Sequence, residues 1–129
     1  MTSKKICIFI LLMVILCGCT REEKKNMAEN KEFRIEDYTE YIENGEYKYR
    51  GSIKKKTIHN EIDAKEMAES IWLETYGDEV LKQKPYVILR DDKEKVWLVH
   101  GTMEEKHMGG VANIIINDEG EVLALWHEK

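Results

Sequence analysis

Residues 96–117 read VWLVHGTMEEKHMGGVANIIIN, and this stretch decides the fold class of the chain. It holds two apolar runs joined by a charged loop that ends in Gly109 and Gly110, a pattern typical of two neighbouring antiparallel strands. The runs predict strands over residues 96–102 and 111–117. Because the stretch carries no catalytic motif, we interpret it as a structural hairpin.

The segments on either side of this hairpin extend it into a meander. Pro85 has no amide to donate and is tolerated at the first position of a strand, so a strand is predicted over residues 86–90. Residues 117–120, NDEG, predict a tight turn with glycine at the position that requires a positive φ, followed by a strand over residues 122–127. Sequential strands joined by short loops pair as antiparallel neighbours.

The clearest helix lies between Asp63 and Gly77. Its apolar side chains recur at the i, i+3, i+4, i+7 spacing of one helix face. Asp63 and Glu66 predict an N-terminal capping box, and Gly77 predicts the C-terminal stop. A tryptophan on such a face usually belongs to a core, so Trp72 is interpreted as buried. The stripe consists of Ala64, Met67, Ala68, Ile71, Trp72 and Thr75 or Tyr76.

Both faces of the predicted sheet carry apolar side chains, because each strand alternates between two apolar sets. The opposed sets are Trp97, Val99 and Gly101 against Val96, Leu98, His100 and Thr102; Ala112, Ile114 and Ile116 against Val111, Asn113, Ile115 and Asn117; and Leu123 and Leu125 against Val122, Ala124 and Trp126. One helix cannot cover both faces. The sequence therefore predicts an α+β fold, a curved antiparallel meander of about four strands with the helix in its concave side. Either the N-terminal segment or a partner covers the other face.

The segment before the helix has weaker patterns. Residues 33–44 show a loosely helical spacing of apolar side chains that is closed by Asn44 and Gly45, which predicts a short helix. Tyr47 and Tyr49 alternate along the chain. They fit either a short strand or a recognition surface for a partner.

Four charged segments are interpreted as solvated surface. Residues 54–58 alternate like an edge strand, and their three lysines fit its solvated edge better than the alternative, a binding patch. Residues 78–84 predict a polar connection. The carboxylate pairs at 91–92 and 104–105 lie on predicted turns, where a charged pair is usually hydrated.

The N-terminus combines a positive start, an apolar run and a closing cysteine. After two lysines, residues 6–17 form a continuous apolar run of twelve residues, which suits a signal peptide and is short for a bilayer span. The run ends in Leu16-Cys17-Gly18-Cys19, which resembles a bacterial lipobox. We therefore predict a lipoprotein signal peptide over residues 1–18 and lipidation of Cys19. The alternatives are a plain secretory signal and a short uncleaved anchor.

The lipidated cysteine would hold the chain on the outer face of the cell membrane. Residues 19–31 are almost wholly charged or polar and predict a solvated tether. All three cysteines lie in the leader or at its edge, so the mature domain has no disulfide. After residue 18 the chain holds 18 basic and 25 acidic side chains, a formal charge of −7. Such a domain is not attracted to nucleic acid or anionic lipid, and a basic partner suits it better.

The residues with catalytic or ligand chemistry form no recognisable site. Gly109 and Gly110 lack the strand-to-helix setting of a phosphate cradle, so no cofactor is expected. No serine or threonine has a nucleophile context and no buried carboxylate is evident, so no catalytic residue is assigned and no enzyme is predicted. The histidines are scattered without a cysteine or carboxylate pattern, so no metal ligand is assigned. They are His59, His100, His107 and His127.

An ordered set of short sequences covers roughly residues 58–129. It comprises Ile71-Trp72-Leu73, Tyr76-Gly77, Lys84-Pro85-Tyr86, Val96-Trp97-Leu98-Val99, Gly101-Thr102, Gly109-Gly110-Val111, Ile114 to Ile116, Asp118-Glu119-Gly120, Val122-Leu123 and His127. In order and spacing this set resembles the immunity proteins of bacterial polymorphic toxin systems that have a nuclear transport factor 2-like fold. Two positions depart from the family pattern. Met103-Glu104 replaces a usual Leu-Pro, and Glu74 replaces a frequent proline.

The resemblance implies a cystatin-like or nuclear transport factor 2-like cone within a single domain over residues 32–129. It also implies a non-catalytic protein that binds and neutralises a cognate toxin. Together with the leader, it implies a lipid-anchored copy that meets this toxin outside the cytoplasmic membrane. The partner-binding residues stay unassigned. Two other functions remain open, a cell-surface lipoprotein that binds a peptide or inhibits a protease, and a small enzyme built on a pocket of the cone.

Overall fold

The computed structural model describes residues 32–103 and 109–129. The predicted signal peptide, Cys19 and the tether lie outside the described residues, as do Glu104, Glu105 and His107. Phe33–Lys129 forms one compact unit. None of the described helices is both long and apolar enough to cross a membrane.

Four antiparallel strands form one curved sheet in the order β1-β2-β3-β4. Val99 pairs with Ile88 on one side and with Ile114 on the other, so sequential strands are neighbours as predicted. The α+β fold with a four-stranded meander is thus confirmed, with strand bounds that shift by one or two residues. The strands are Val87–Asp91 (β1), Val96–His100 (β2), Ala112–Asn117 (β3) and Val122–His127 (β4).

The long helix, which we call α2, spans Glu61–Tyr76. Its N-cap is Asn60, so the predicted cap at Asp63 is wrong by three residues. The Asn60 side chain accepts from the Asp63 amide at 2.9 Å, and the Asp63 carboxylate accepts from the His59 amide at 2.9 Å. Asp63 occupies the third helical position, as in a capping box, but its carboxylate accepts from the residue before the N-cap rather than from the N-cap itself. The apolar stripe did not reveal this N-cap, because the first turn of α2 faces solvent and the stripe begins only after it. Gly77 ends the helix at φ 79°, as predicted.

The concave face of the sheet packs against α2. Trp72 is fully buried, which confirms its predicted place in the core, and its ring centre lies 5.1 Å from that of Tyr86. The segment after α2 is a 3-10 helix, Asp78–Gln83, that buries Val80 rather than a purely polar connection. The core on this face includes Ile58, Ala64, Met67, Ala68, Ile71, Trp72, Val80, Tyr86, Trp97, Val99, Ala112, Ile114, Ile116 and Leu125.

The convex face is covered by residues 33–47, which we call the strap. The predicted helix over 33–44 is broken into a 3-10 turn at Ile35–Tyr38, a short helix α1 at Thr39–Glu43 and a 3-10 turn at Gly45–Tyr47. Tyr47 therefore lies in a helical turn and not in a strand. Of the two predicted covers for this face, the N-terminal segment is the one observed. The strap packs on Val96, Leu98, Ile115, Ala124 and Trp126.

A β-bulge in β4 changes the face on which two side chains lie. Ile115 pairs with Ala124 while Ile116 pairs with Val122, so Leu123 is the extra residue. Val122 consequently packs with the concave core and Leu123 with the strap, which reverses the predicted sides of these two residues. A bulge has this effect because simple alternation stops at the extra residue.

Residues 54–58 form neither a helix nor a strand, so the predicted edge strand is wrong. The segment is fixed at its end by Ile58, which is 4% exposed and whose amide donates to the Asp118 carbonyl at 2.8 Å. Gly120 allows the β3–β4 turn to approach residues 54–58. Its φ is +85°, and a Cβ there would lie 2.1 Å from the Lys56 carbonyl oxygen.

Candidate binding surface

The described histidines lie apart, each in its own local contacts. His100 Nδ1 is 2.7 Å from the Gly101 carbonyl, and His127 Nδ1 is 2.7 Å from the Glu128 carbonyl. His127 also contacts Gln83 through their side chains at 3.2 Å. Within residues 32–103 and 109–129, no group of three or more histidine, cysteine or acidic side chains could hold a metal ion.

Asp91 is a structural anchor rather than a hydrated turn carboxylate. It accepts from the Ile35 amide at 3.1 Å, which fastens the strap to the end of β1. It also accepts from the amides of Lys93 and Glu94 in the β1–β2 turn. The Ile35 amide, aided by the two turn amides, holds the pKa of Asp91 below its usual range. The Asp91 carboxylate therefore helps to attach the strap to the sheet.

A second cluster of charged side chains joins β1 to the β3–β4 turn. The guanidinium of Arg90 donates two hydrogen bonds to Asp118, at 2.7 and 3.0 Å, and lies 4.5 Å from the centre of the Trp97 ring. The Trp97 indole also donates to Asp118, at 2.8 Å. These contacts, the Arg90 bonds above all, lower the pKa of Asp118. All the charges are paired, so the cluster stabilises the sheet and offers no free group for chemistry.

Glu69 is a partly buried carboxylate that the sequence did not reveal. Its Oε2 atom is buried, and Lys84 Nζ lies 3.2 Å from it. Burial alone would raise the pKa of Glu69, but the Tyr86 hydroxyl and the Lys84 ammonium outweigh burial and lower the pKa. Burial, with Glu69 nearby, raises the pKa of Tyr86. A general acid or base at neutral pH needs a pKa moved towards 7, and both pKa values move away from it.

Glu74 ties the chain before α2 to the last turn of that helix. Its carboxylate accepts from the Tyr49 hydroxyl and from the amide and hydroxyl of Ser52. The Ser52 contact, followed by Tyr49, lowers the pKa of Glu74. Tyr49 thus has a structural role and does not lie in a strand, while the recognition surface considered from the sequence stays a prediction. A proline at position 74 would lack this carboxylate.

Comparison with known families matches residues 63–129 to the NTF2 fold immunity proteins. This match covers most of α2 and all four strands, which are the elements that form the concave core. The chain belongs to this family. Neither a curated protein nor a solved structure matches the chain. Members of the immunity protein family neutralise toxins and are generally non-catalytic.

In this immunity protein, residues 33–62 lie before the matched region and add two surfaces to the family core. The strap is one of them. It carries five acidic side chains and one basic side chain, and its half-buried tyrosines pack on Trp126. Tyr41 is stacked on Trp126 with ring centres 4.2 Å apart. These aromatic side chains are largely used in covering the sheet.

The other surface is a groove between residues 53–58 and the first half of α2. It has a volume of about 170 Å³, a mainly apolar floor and charged rims. A second depression, near the end of α2, has a volume of about 380 Å³ but is more open and is lined mostly by polar and charged residues. The first groove is lined by Ile53, Lys54, Lys56, Ile58, Asp63, Glu66, Met67 and Ser70.

Proposed function

We propose that this protein is a lipid-anchored immunity protein that binds and neutralises a cognate bacterial toxin at the outer face of the cell membrane. The family match over residues 63–129 is the observation that carries toxin neutralisation, and the lipobox-like sequence that ends at Cys19 supports the anchor. Neutralisation by binding needs a rigid scaffold with an exposed docking surface, and it needs no reaction centre.

The side-chain clusters of the described residues support binding over catalysis. Arg90 and Asp118 neutralise each other, and Asp91 and Glu74 are used in holding the strap and the Tyr49 segment. The partly buried carboxylate of Glu69 has a lowered pKa, because the Tyr86 hydroxyl and Lys84 outweigh the effect of burial. A lowered pKa keeps the group ionised near neutral pH, which is the wrong state for a general acid.

The sequence supports attachment through lipid at Cys19. The residues after the leader have a formal charge of −7, so anionic lipid would repel them. A bound acyl chain contributes about 0.8 kcal/mol per buried methylene, which outweighs such repulsion. Membrane attachment of the mature protein would therefore depend on Cys19.

Toxin neutralisation is tested by rescue of intoxicated cells. The candidate toxin is the product of the gene beside this one, produced so that it reaches the cell surface. We expect cells that also produce this immunity protein to survive, and cells that produce it with a stop codon at Glu61 to die. Death of both cultures would contradict the proposal.

Lipid anchoring is tested by fractionation of cells that produce Cys19→Ala. We expect this variant to leave the membrane fraction, because it lacks the thiol that lipid modifies. Cys7→Ala is the matched control, since it removes a cysteine of the leader and keeps Cys19. A Cys19→Ala protein that stays in the membrane fraction like the unchanged protein would rule out the anchor.

A further inference from the structure

We infer that the groove between residues 53–58 and α2 is the docking site for the toxin, and that it takes an extended segment of the toxin chain. The segment would place one apolar side chain on the groove floor and a neighbouring carboxylate between Lys54 and Lys56. This inference rests on the proposed function, and it names the surface and the chemistry of the partner.

The floor of the groove is apolar and is bordered by an exposed isoleucine. Ile58 and Met67 are 4% and 8% exposed and form the floor together with Ile53. Ile62 is not a lining residue of the groove, but it precedes Glu66, which lines the rim, by four residues and therefore lies beside that rim on the surface of α2. It is 65% exposed, more than any other large apolar side chain of the described residues.

The main chain beside the groove has unpaired groups, although the β3–β4 turn lies against Lys56 at Gly120. Within the described part of the chain, the amides of residues 54–57 donate no hydrogen bond, and the carbonyls of residues 53–57 accept none. A row of unpaired main-chain groups is the feature that an added strand recognises. Such strand addition places alternate side chains of the incoming segment into pockets of the host. The groove is one such pocket, next to the row.

The charge of the rim selects an acidic neighbour for the apolar side chain. Lys54 and Lys56 make no ion pair with any described residue, while Lys55 lies 3.7 Å from Glu121. These two lysines lie on a domain, residues 32–129, that has 14 basic and 22 acidic side chains and a formal charge of −8. On the opposite rim, Asp63 is used in the helix cap, and Glu66 adds a negative charge that would repel a carboxylate from α2 and favour its position at the lysines. An incoming carboxylate would therefore find its complement at the two lysines.

The experiment measures the affinity of the full chain for the toxin identified by rescue. One variant is Ile62→Glu, and a second joins Lys54→Glu to Lys56→Glu. The matched controls are Leu81→Glu, which also places a charge on an exposed apolar position, and Lys93→Glu with Lys129→Glu, which has the same change in charge. We expect each groove variant to raise Kd about tenfold or more and the controls to change it less than about twofold.

Hydrogen exchange of the unchanged protein tests the main-chain pairing. Toxin should slow exchange at the amides of residues 54–57 and leave the β1–β2 turn at residues 92–95 unchanged. The same slowing in the free protein as its concentration rises would assign the groove to a second copy of the chain and overturn the inference.

The possible failures are distinguishable. If the groove variants bind the toxin as well as the controls do, or if the amides of residues 54–57 stay unprotected in the complex, the groove is not the site and the proposed function stands. If the unchanged protein does not bind the toxin, the proposed function fails and the inference fails with it. Melting curves of Ile62→Glu that match the unchanged protein exclude unfolding as the cause of weaker binding.

Discussion

The two faces of the sheet are covered in different ways. The concave face lies against α2, a helix of 16 residues whose start is capped by the side chains of Asn60 and Asp63. The convex face lies under the strap, whose helical pieces have 4, 5 and 3 residues. Both faces are apolar, so both need cover. One cover is a long capped helix, while the other is assembled from turns that would not be stable alone.

The side chains of α2 are also more deeply buried than those of the strap. Trp72 and Ile71 of α2 are fully buried, whereas α1 has no buried residue and Phe33 is the one buried side chain of the strap. The strap is held by its aromatic contacts and by the hydrogen bond from Ile35 to Asp91. Segments with few buried contacts open at lower free energy than the core. The strap should therefore open while the concave core stays intact.

The largest expected effect tests the concave cover. Trp72→Ala removes a fully buried indole that packs against Tyr86, and we expect a loss of about 3 to 5 kcal/mol in the free energy of unfolding. Denaturant melts measure it. An unchanged midpoint for Trp72→Ala would show that α2 does not form the core cover.

A smaller effect is expected in the strap. Tyr41→Ala removes a half-buried ring stacked on Trp126, and we expect a loss of about 1.5 kcal/mol, because little burial accompanies the aromatic contact. Tyr41→Phe keeps the ring and serves as the control. If Tyr41→Ala costs as much as Trp72→Ala, the two covers are equally integrated and the comparison is wrong.

The cap of α2 gives a further contrast, because the Tyr38 side chain makes no capping hydrogen bond at the start of α1. Asn60→Ala should lower the stability of the protein by about 1 kcal/mol, since the Asp63 amide loses its acceptor. Asn60→Ser restores an acceptor and should recover most of the loss in the same melt. If Asn60→Ala and the unchanged protein have the same denaturation midpoint, the Asn60 cap does not stabilise the protein.

The smallest expected effect on global stability is the pH dependence of the strap. The pKa of Asp91 is lowered in the folded state, so its contribution is present above the unfolded pKa of about 4 and is lost as the pH falls through the lower folded value. Exchange at the α1 amides, corrected for intrinsic rates, should accelerate below pH 4. Asp91→Ala should show the faster exchange already at pH 7 and no further change on acidification. Equal α1 exchange in Asp91→Ala and the unchanged protein would count against the anchor.

The family core was predictable because its signals are local. The stripe through Trp72, the stop at Gly77 and the turn at Gly120 each lie within a few residues of the element they define. The bulge had no such signal, since Val122 and Leu123 are both apolar and either fits either face. The alternation therefore placed these two residues on the wrong sides.

The strap and the groove depend on contacts between distant residues. Ile35 is fastened to Asp91, which is 56 positions away, and no local pattern predicts that contact. The groove forms because residues 53–58 pack beside α2, and the three lysines alone suggested a solvated edge. One feature of the sequence could have predicted this packing. Ile53 and Ile58 lie on either side of the three lysines, and a strand exposed to solvent on both faces would not need these apolar side chains.

Titration of toxin activity distinguishes neutralisation by binding from other modes of protection. Purified toxin at a fixed concentration is mixed with increasing amounts of the full chain, and the remaining toxin activity is measured at two incubation times. We expect activity to fall linearly to an endpoint at a fixed stoichiometric ratio, the same at both times. Loss of activity that continues with time at far less than stoichiometric amounts, or no loss at any ratio, would contradict neutralisation by binding.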